Sequence, residues 1–203
     1  MLPIAREARW FLLIASLGAI YLQSLTFPEP NWLLWIVLAV LFFLFRDFHR
    51  EVPPIPLAVI SPVDGKIVSI EQANDPYAER EALVITIQQS YLGEYNFHSA
   101  VEGKIQQLWV RKSKNGDVPA LVLWTSTDED DDAVVFVDLR SKLKRATTSV
   151  HPGERIGQGQ RCGLVGVGCK VKVYLPANAK PSIEYGQKVV AGEQILAHFV
   201  HAN

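Results

Sequence analysis

A chain of 203 residues with a formal net charge of -1 has room for one domain of about 150 residues and an appendage. It lacks the basic field that a nucleic-acid-binding protein presents. Its 49 % hydrophobic share is unevenly spread.

The excess lies at the start. Residues 10–26 and 32–45 are almost wholly apolar, parted by the turn-like Phe27-Pro28-Glu29-Pro30-Asn31. Each run is shorter than the ~20 residues of an ideal spanning helix. A buried core hairpin would need a large partner to cover both helices all round. The flanking charges favour a membrane instead. Arg6 and Arg9 precede the first run, Arg46 and Arg50 follow the second, and only Glu29 lies between. By the positive-inside rule both ends face the cytoplasm, with Trp10, Tyr21, Trp32 and Trp35 as interfacial anchors. No small-residue cleavage site marks the first run as a signal peptide. The expectation is a two-helix membrane anchor over 1–50 and a soluble domain over 51–203, on the cytoplasmic side of a bacterial-type inner membrane.

A charged exit ending in Pro53-Pro54 leads into short strands and turns. Val59-Ile60, Lys66–Ile70, Leu83–Ile87, Ile105–Val110, Ala120–Trp124, Ala133–Val137 and Val171–Leu175 all read as strands, and only 139–147 carries any helical periodicity. Asp128-Glu129-Asp130-Asp131-Asp132 lacks EF-hand spacing and reads as a solvated hairpin loop. Gly153, Ile156, Gly159 and Cys162 recur as Gly186, Val189, Gly192 and Ile195, a paired-turn pattern like that of barrel-sandwich carrier domains, although no carrier lysine accompanies it. The domain is predicted to be mainly β with barrel-sandwich-like turns.

Cys162 and Cys169 have neither zinc nor CxxC spacing. On a single strand their odd separation would put them on opposite faces, which opposes a disulfide. Cys162 reads as a small buried hydrophobe. Cys169 differs because it follows Gly168 between two apolar runs. Asp64 reads either as a turn residue of Asp64-Gly65 or as a functional carboxylate. His98 reads either as a hydrogen-bonded strand histidine or as an acid–base group. His49, His151, His198 and His201 suggest nothing further.

In order along the chain, Phe45-Arg46-Asp47 with Arg50 and Pro53, Ser61-Pro62-Val63-Asp64-Gly65-Lys66, Glu94 to Gly103, Gly159 to Pro176, and Gly186-Gln187 with Ala191-Gly192-Glu193 form a pattern. It resembles the phosphatidylserine decarboxylases, especially their short form. In that family a Gly-Ser bond breaks and the serine becomes a pyruvoyl group. The ketone forms a Schiff base with the substrate amine and takes up electrons as carbon dioxide leaves.

The resemblance implies a lyase that converts phosphatidylserine to phosphatidylethanolamine. Gly168-Cys169 would be the bond that breaks, Cys169 the pyruvoyl precursor, and Asp64 with His98 the acid–base groups. A phospholipid membrane and an aminophospholipid are the implied partners, no metal is expected, and a homo-oligomer stays open. Three departures support an alternative, an inactive descendant that binds headgroups or a membrane partner. Cys169 replaces the serine, Tyr95 replaces the first histidine of the family's His-x-x-His pair, and the acidic run replaces an Asn-Glu-Arg element. A neutral tyrosine is a poor base at pH 7. A thiolate, by contrast, is a good nucleophile for the acyl shift.

Overall fold

The computed structural model describes residues 9–26, 28–44, 55–91, 93–111, 120–139, 146–166 and 168–200. The chain divides into two compact units, Met1–His49 and Arg50–Asn203. In the first, helices α1 (Arg9–Leu25) and α2 (Trp32–Leu44) pack on each other. Gln23 fastens their turn: its Oε1 accepts from Asn31 N at 3.0 Å and Trp35 Nε1 at 3.3 Å, and its Nε2 donates to Glu29 O at 3.0 Å. Both helices form where the apolar runs predict. Among the described residues, however, no helix is long and apolar enough to cross a membrane. The charged exit at 45–54 lies outside the described residues.

The second unit is built of strands. β1 (Ala58–Ile60), β2 (Gly65–Asp75), β3 (Arg80–Gln89), β4 (Asn96–His98), β5 (Gly103–Arg111), β6 (Ala120–Ser126) and β7 (Asp132–Asp138) come first. They are followed by β8 (Ala146–Thr148), β9 (Arg155–Ile156), β10 (Arg161–Val165), β11 (Lys170–Pro176), β12 (Lys180–Pro181), β13 (Lys188–Val189) and β14 (Ile195–His198). All seven expected strands are present. The helical expectation for 139–147 fails at its end, where Ala146 and Thr147 pair with Val165 and Leu164 in β8. Residues 140–145 lie outside the described residues.

An eight-stranded antiparallel sheet runs β13-β2-β3-β11-β7-β6-β5-β9, beside two three-stranded sheets, β1-β14-β12 and β4-β10-β8. One face of the large sheet shares a single core with both small sheets. Ile67, Ile85, Ile87, Leu121, Leu123, Val171 and Val173 meet Val59, Phe97, Cys162, Val165 and Leu196 there, all buried. Strand alternation puts the complementary residues on the other face. A smaller cluster lies on that face, with Tyr77 against Trp109, Phe136 and Tyr174 at ring-centroid distances of 6.0, 6.2 and 6.1 Å.

The strand orders reveal a duplication. The eight-stranded order is a palindrome if β13, β2, β3 and β11 correspond to β9, β5, β6 and β7, and the two small sheets match under the same exchange. Backbone hydrogen bonds repeat with it. Gly186 N donates to Ile67 O at 3.0 Å and Ile67 N to Gln187 O at 2.9 Å, as Gly153 N donates to Ile105 O at 2.7 Å and Ile105 N to Glu154 O at 2.9 Å. Ser61 Oγ donates to Val63 O at 2.7 Å, and Ser99 Oγ to Val101 O at 2.6 Å.

The sequence carries the same signal. Ser61-Pro62-Val63-Asp64-Gly65-Lys66-Ile67 matches Ser99-Ala100-Val101-Glu102-Gly103-Lys104-Ile105. The glycine repeat supplies the other half of each copy. Gly153, Gly159, Gly186 and Gly192 all have left-handed φ of 86, 68, 82 and 73°, a conformation that glycine adopts without steric cost.

Candidate active site

Asp64 sits in the turn that opens β2, and backbone amides fasten both of its oxygens. Oδ2 accepts from Glu94 N at 2.9 Å and Oδ1 from Ala191 N at 2.8 Å. A Cβ on Gly93 would come within 2.7 Å of the Asp64 Cβ, so a side chain there would push the carboxylate out of place.

The Glu94 side chain turns toward His98, with Oε2 at 3.9 Å from His98 Nε2, and its Oε1 accepts from Asn96 Nδ2. Glu94, Asn96 and His98 are all buried. His98 Nδ1 lies 2.9 Å from Gly159 O. A carbonyl only accepts, so Nδ1 carries a proton and Nε2 is the nitrogen that faces Glu94. Gly192 closes the cluster from the other side, where a Cβ would meet His98 Nδ1 at 3.5 Å. Glu94 thus reaches Asp64 through its backbone and His98 through its carboxylate.

The same segment reaches the candidate cleavage bond. Gly168, with φ of 66°, and the buried Cys169 end the turn between β10 and β11. Gln89 N donates to Cys169 O at 2.9 Å, and Ser90 N donates to Asp64 O at 2.9 Å. Gln89 Oε1 accepts from Cys169 N at 3.1 Å, and Gln88 Nε2 donates to Gly168 O at 3.0 Å. The exposed Tyr91 ring lies over Gly168. Cys169 Sγ donates to Gly166 O at 3.1 Å.

The run from Gln88 to His98 therefore touches all three expected site residues. Gln88, Gln89 and Glu94 escaped the sequence reading. Their signal was a Gln-Gln pair ending an apolar strand, and a glutamate four residues before a histidine.

Tyr95 differs from the histidine it replaces. Its Oη donates to Tyr91 O at 2.7 Å, and burial raises its pKa further above neutrality, so it stays a phenol. Cys162 and Cys169 are both free thiols in separate places, one inside β10 and one just before β11, so the premise of a single strand for both fails. Burial, helped by the charge of Glu154, pushes Cys162 up to about 12, as suits a core residue. The acidic run forms the β6–β7 connection, as expected of a hairpin loop.

The phosphatidylserine decarboxylase family model matches residues 122–197, which include β10, β11 and the turn between them. A phosphatidylserine decarboxylase proenzyme of Nitrosomonas europaea is 35 % identical over 97 % of this chain and 95 % of its own. The chain belongs to the phosphatidylserine decarboxylase family. A proenzyme of Paraburkholderia phytofirmans is 34 % identical over 96 % of both chains, and one of Nitrosomonas eutropha is 34 % identical over 97 % and 95 %. No solved structure matches the chain. The family is one of pyruvoyl-dependent decarboxylases, lyases of phospholipid biosynthesis.

Proposed function

We propose that this protein is a membrane-associated phosphatidylserine decarboxylase whose pyruvoyl group arises from Cys169 by cleavage of the Gly168-Cys169 bond. The observation that carries this reading is the buried Cys169 after a left-handed glycine, immediately before β11 and bonded to the segment that holds Asp64 and His98. The pyruvoyl group supplies a ketone that condenses with the substrate amine and draws electrons from the breaking carboxyl bond.

Residues of the chain do the remainder. Cys169 Sγ leaves Gly166 O and adds to the Gly168 carbonyl carbon, converting the amide to a thioester. Removal of the Cys169 α-proton by a base of the Asp64–Glu94–His98 cluster then breaks the Cβ–S bond. Sulfur departs with Gly168 as a thiocarboxylate, and hydrolysis of the remaining enamine releases ammonia and leaves the ketone. In the mature site the same cluster returns a proton to the decarboxylated carbon.

Two features support the lipid setting and the anchor. Both helices of the first unit expose large apolar side chains, among them Trp10, Ile14, Leu17, Trp32, Leu33 and Ile36, a surface that soluble monomers avoid. In the second unit Lys188, Lys66, Gln88 and Lys170 are register partners in one row of the large sheet, with the lysines exposed. Register partners share a face, so this row presents positive charge to an anionic headgroup beside the cleavage turn.

Intact-mass spectrometry of the purified protein tests the reading, with Cys169→Ala as control. The expected result is a light piece beginning at residue 169 with a pyruvoyl group. The heavy piece should end in a thiocarboxylate, detectable as sulfur in place of oxygen. An N-terminal cysteine on the light piece would mean hydrolysis without cofactor formation. A single uncut chain would favour the second reading, an inactive headgroup-binding descendant, for which the hydrogen-bonded phenol of Tyr95 in the histidine position speaks.

A further inference from the structure

The Gly168-Cys169 peptide is held at both ends by consecutive residues of β3. Gln89 Oε1 accepts the Cys169 N–H at 3.1 Å, and Gln88 Nε2 donates to the Gly168 carbonyl at 3.0 Å and to Cys169 O at 3.4 Å. The duplication separates what is architectural here from what is added. In the other copy Asp130, with φ of 61°, stands where Gly168 stands, and Asp131 stands for Cys169. Thr127 there does the work of Gln89: its N donates to Asp131 O at 2.8 Å and its Oγ1 accepts from Asp131 N at 3.1 Å. The Gln89 bond is therefore the fold's ordinary closure of a left-handed turn. Ser126 occupies the place of Gln88, and among the described residues it makes no hydrogen bond to Asp130 O. The donor on the Gly168 carbonyl has no counterpart.

We infer that Gln88 is a catalytic residue of self-cleavage, the donor that stabilises the oxyanion formed on Gly168 O when Cys169 attacks. This deepens the cleavage reading above and rests on it. In the step, a bond forms between Sγ and the Gly168 carbonyl carbon, the carbon–nitrogen bond breaks, and the thiol proton ends on the Cys169 nitrogen. No other reagent is consumed. In the resting protein the Gln88 bond meets a neutral carbonyl. As negative charge gathers on that oxygen the bond becomes charge-assisted, so it stabilises the transition state more than the ground state. At 3.0 Å from the resting carbonyl oxygen, Gln88 Nε2 is already a hydrogen-bond donor to the atom on which the charge develops. Lys66 and Lys170 flank Gln88 in register on the same face and add positive charge to that side of the turn.

The test follows cleavage of the full-length chain made by cell-free translation into lipid nanodiscs, timing the appearance of the light piece. Gln88→Met keeps length and removes the donor, and half-exposed Gln88 tolerates the change without loss of fold. Cleavage should slow by roughly 10²–10³-fold, as when one oxyanion donor is deleted. Gln88→Glu, which puts negative charge against the carbonyl, should slow it at least as much. Hydroxylamine traps the thioester, and less trapped product should form in Gln88→Met than in the parent at equal times. Cleavage of Gln88→Met at the parental rate overturns the inference while leaving Cys169 as the cleavage residue. Slow cleavage with undiminished hydroxylamine trapping also overturns it, since the defect then follows the acyl shift. A parent chain that never cleaves sinks the cleavage reading, and this inference with it.

Discussion

Asp64 is built to be a carboxylate and nothing else of its shape. Asp64→Asn keeps the volume but turns one oxygen into an NH₂ group, which must then face either Glu94 N or Ala191 N, both donors. One buried amide loses its acceptor, at a cost of about 1–3 kcal/mol. Urea denaturation should show that loss, and self-cleavage should fail in the same variant. An Asp64→Asn protein as stable as the parent would mean the lost amide bond contributes nothing.

Cys162 offers a pH test at the same scale. Its ordinary thiol value of 9.0 rises to about 12 in the folded chain. The unfolded thiol therefore ionises first, and the stability contributed by the protonated form is complete below pH 9 and lost between pH 9 and about 12. Across that window each such group removes about 1.4 kcal/mol per pH unit. Tyr174, raised from 10.0 to about 12 by burial and by the charges of Tyr77, Asp75 and Glu71, adds to the fall from pH 10 upward. Cys162→Ala should flatten the curve of denaturation midpoint against pH between 9 and 10. An unchanged slope would contradict the shifted value.

At the scale of the element, the two copies of the strand-opening turn allow a controlled comparison. A Cβ on Gly65 would lie 2.4 Å from Gln88 O, and one on Gly103 would lie 2.1 Å from Ser126 O, so backbone must move in both cases. Gly65→Ala and Gly103→Ala should both lower the melting temperature. Only Gly65→Ala displaces Gln88, so it alone should slow cleavage when both variants are compared under conditions where they remain folded. Equal cleavage defects would remove the special role of the first copy.

The strands were legible because Leu83–Ile87 is a short apolar, β-branched run and Val171–Leu175 places an apolar residue at every second position, and the paired glycines because left-handed turns demand them. The copy beginning at Ser99 was as plain in residues as that beginning at Ser61. It hid because each heptad completes its unit with a glycine turn far along the chain, at Gly153 for one and Gly186 for the other. Pairings of that range leave no local periodicity. The same reason kept Gln88 and Glu94 out of the predicted site. Nothing along β3 itself marks the half-exposed Gln88, and only the neighbouring β11 makes it a donor to Gly168.

For the whole molecule, the lysine row makes the proposed contact with lipid testable. A protein lacking residues 1–50 should still bind anionic vesicles through Lys66, Lys170 and Lys188, weakly, with about 1 kcal/mol from each lysine near the surface. That binding should fade as ionic strength rises and should be lost on neutral phosphatidylcholine vesicles. Replacement of the three lysines by glutamine should abolish it. Binding that ignores salt would point to apolar insertion instead.

The position of the turn before β11 has one more consequence. A break there leaves β11, β12, β13 and β14 in the light piece. There β11 lies between β3 and β7, β13 is bonded to β2, and β14 to β1. Each of those partners belongs to the heavy piece, so cleavage would divide the chain without dividing the sheets. The uncut chain brings these strands together at the effective concentration of a single molecule. Once cut and unfolded, the same strands must find each other by diffusion. The precursor would recover from denaturation at any dilution, whereas the finished protein would recover only when concentrated, or not at all. Assembly would then be a one-time event, written into the chain while it is whole and spent when the enzyme matures.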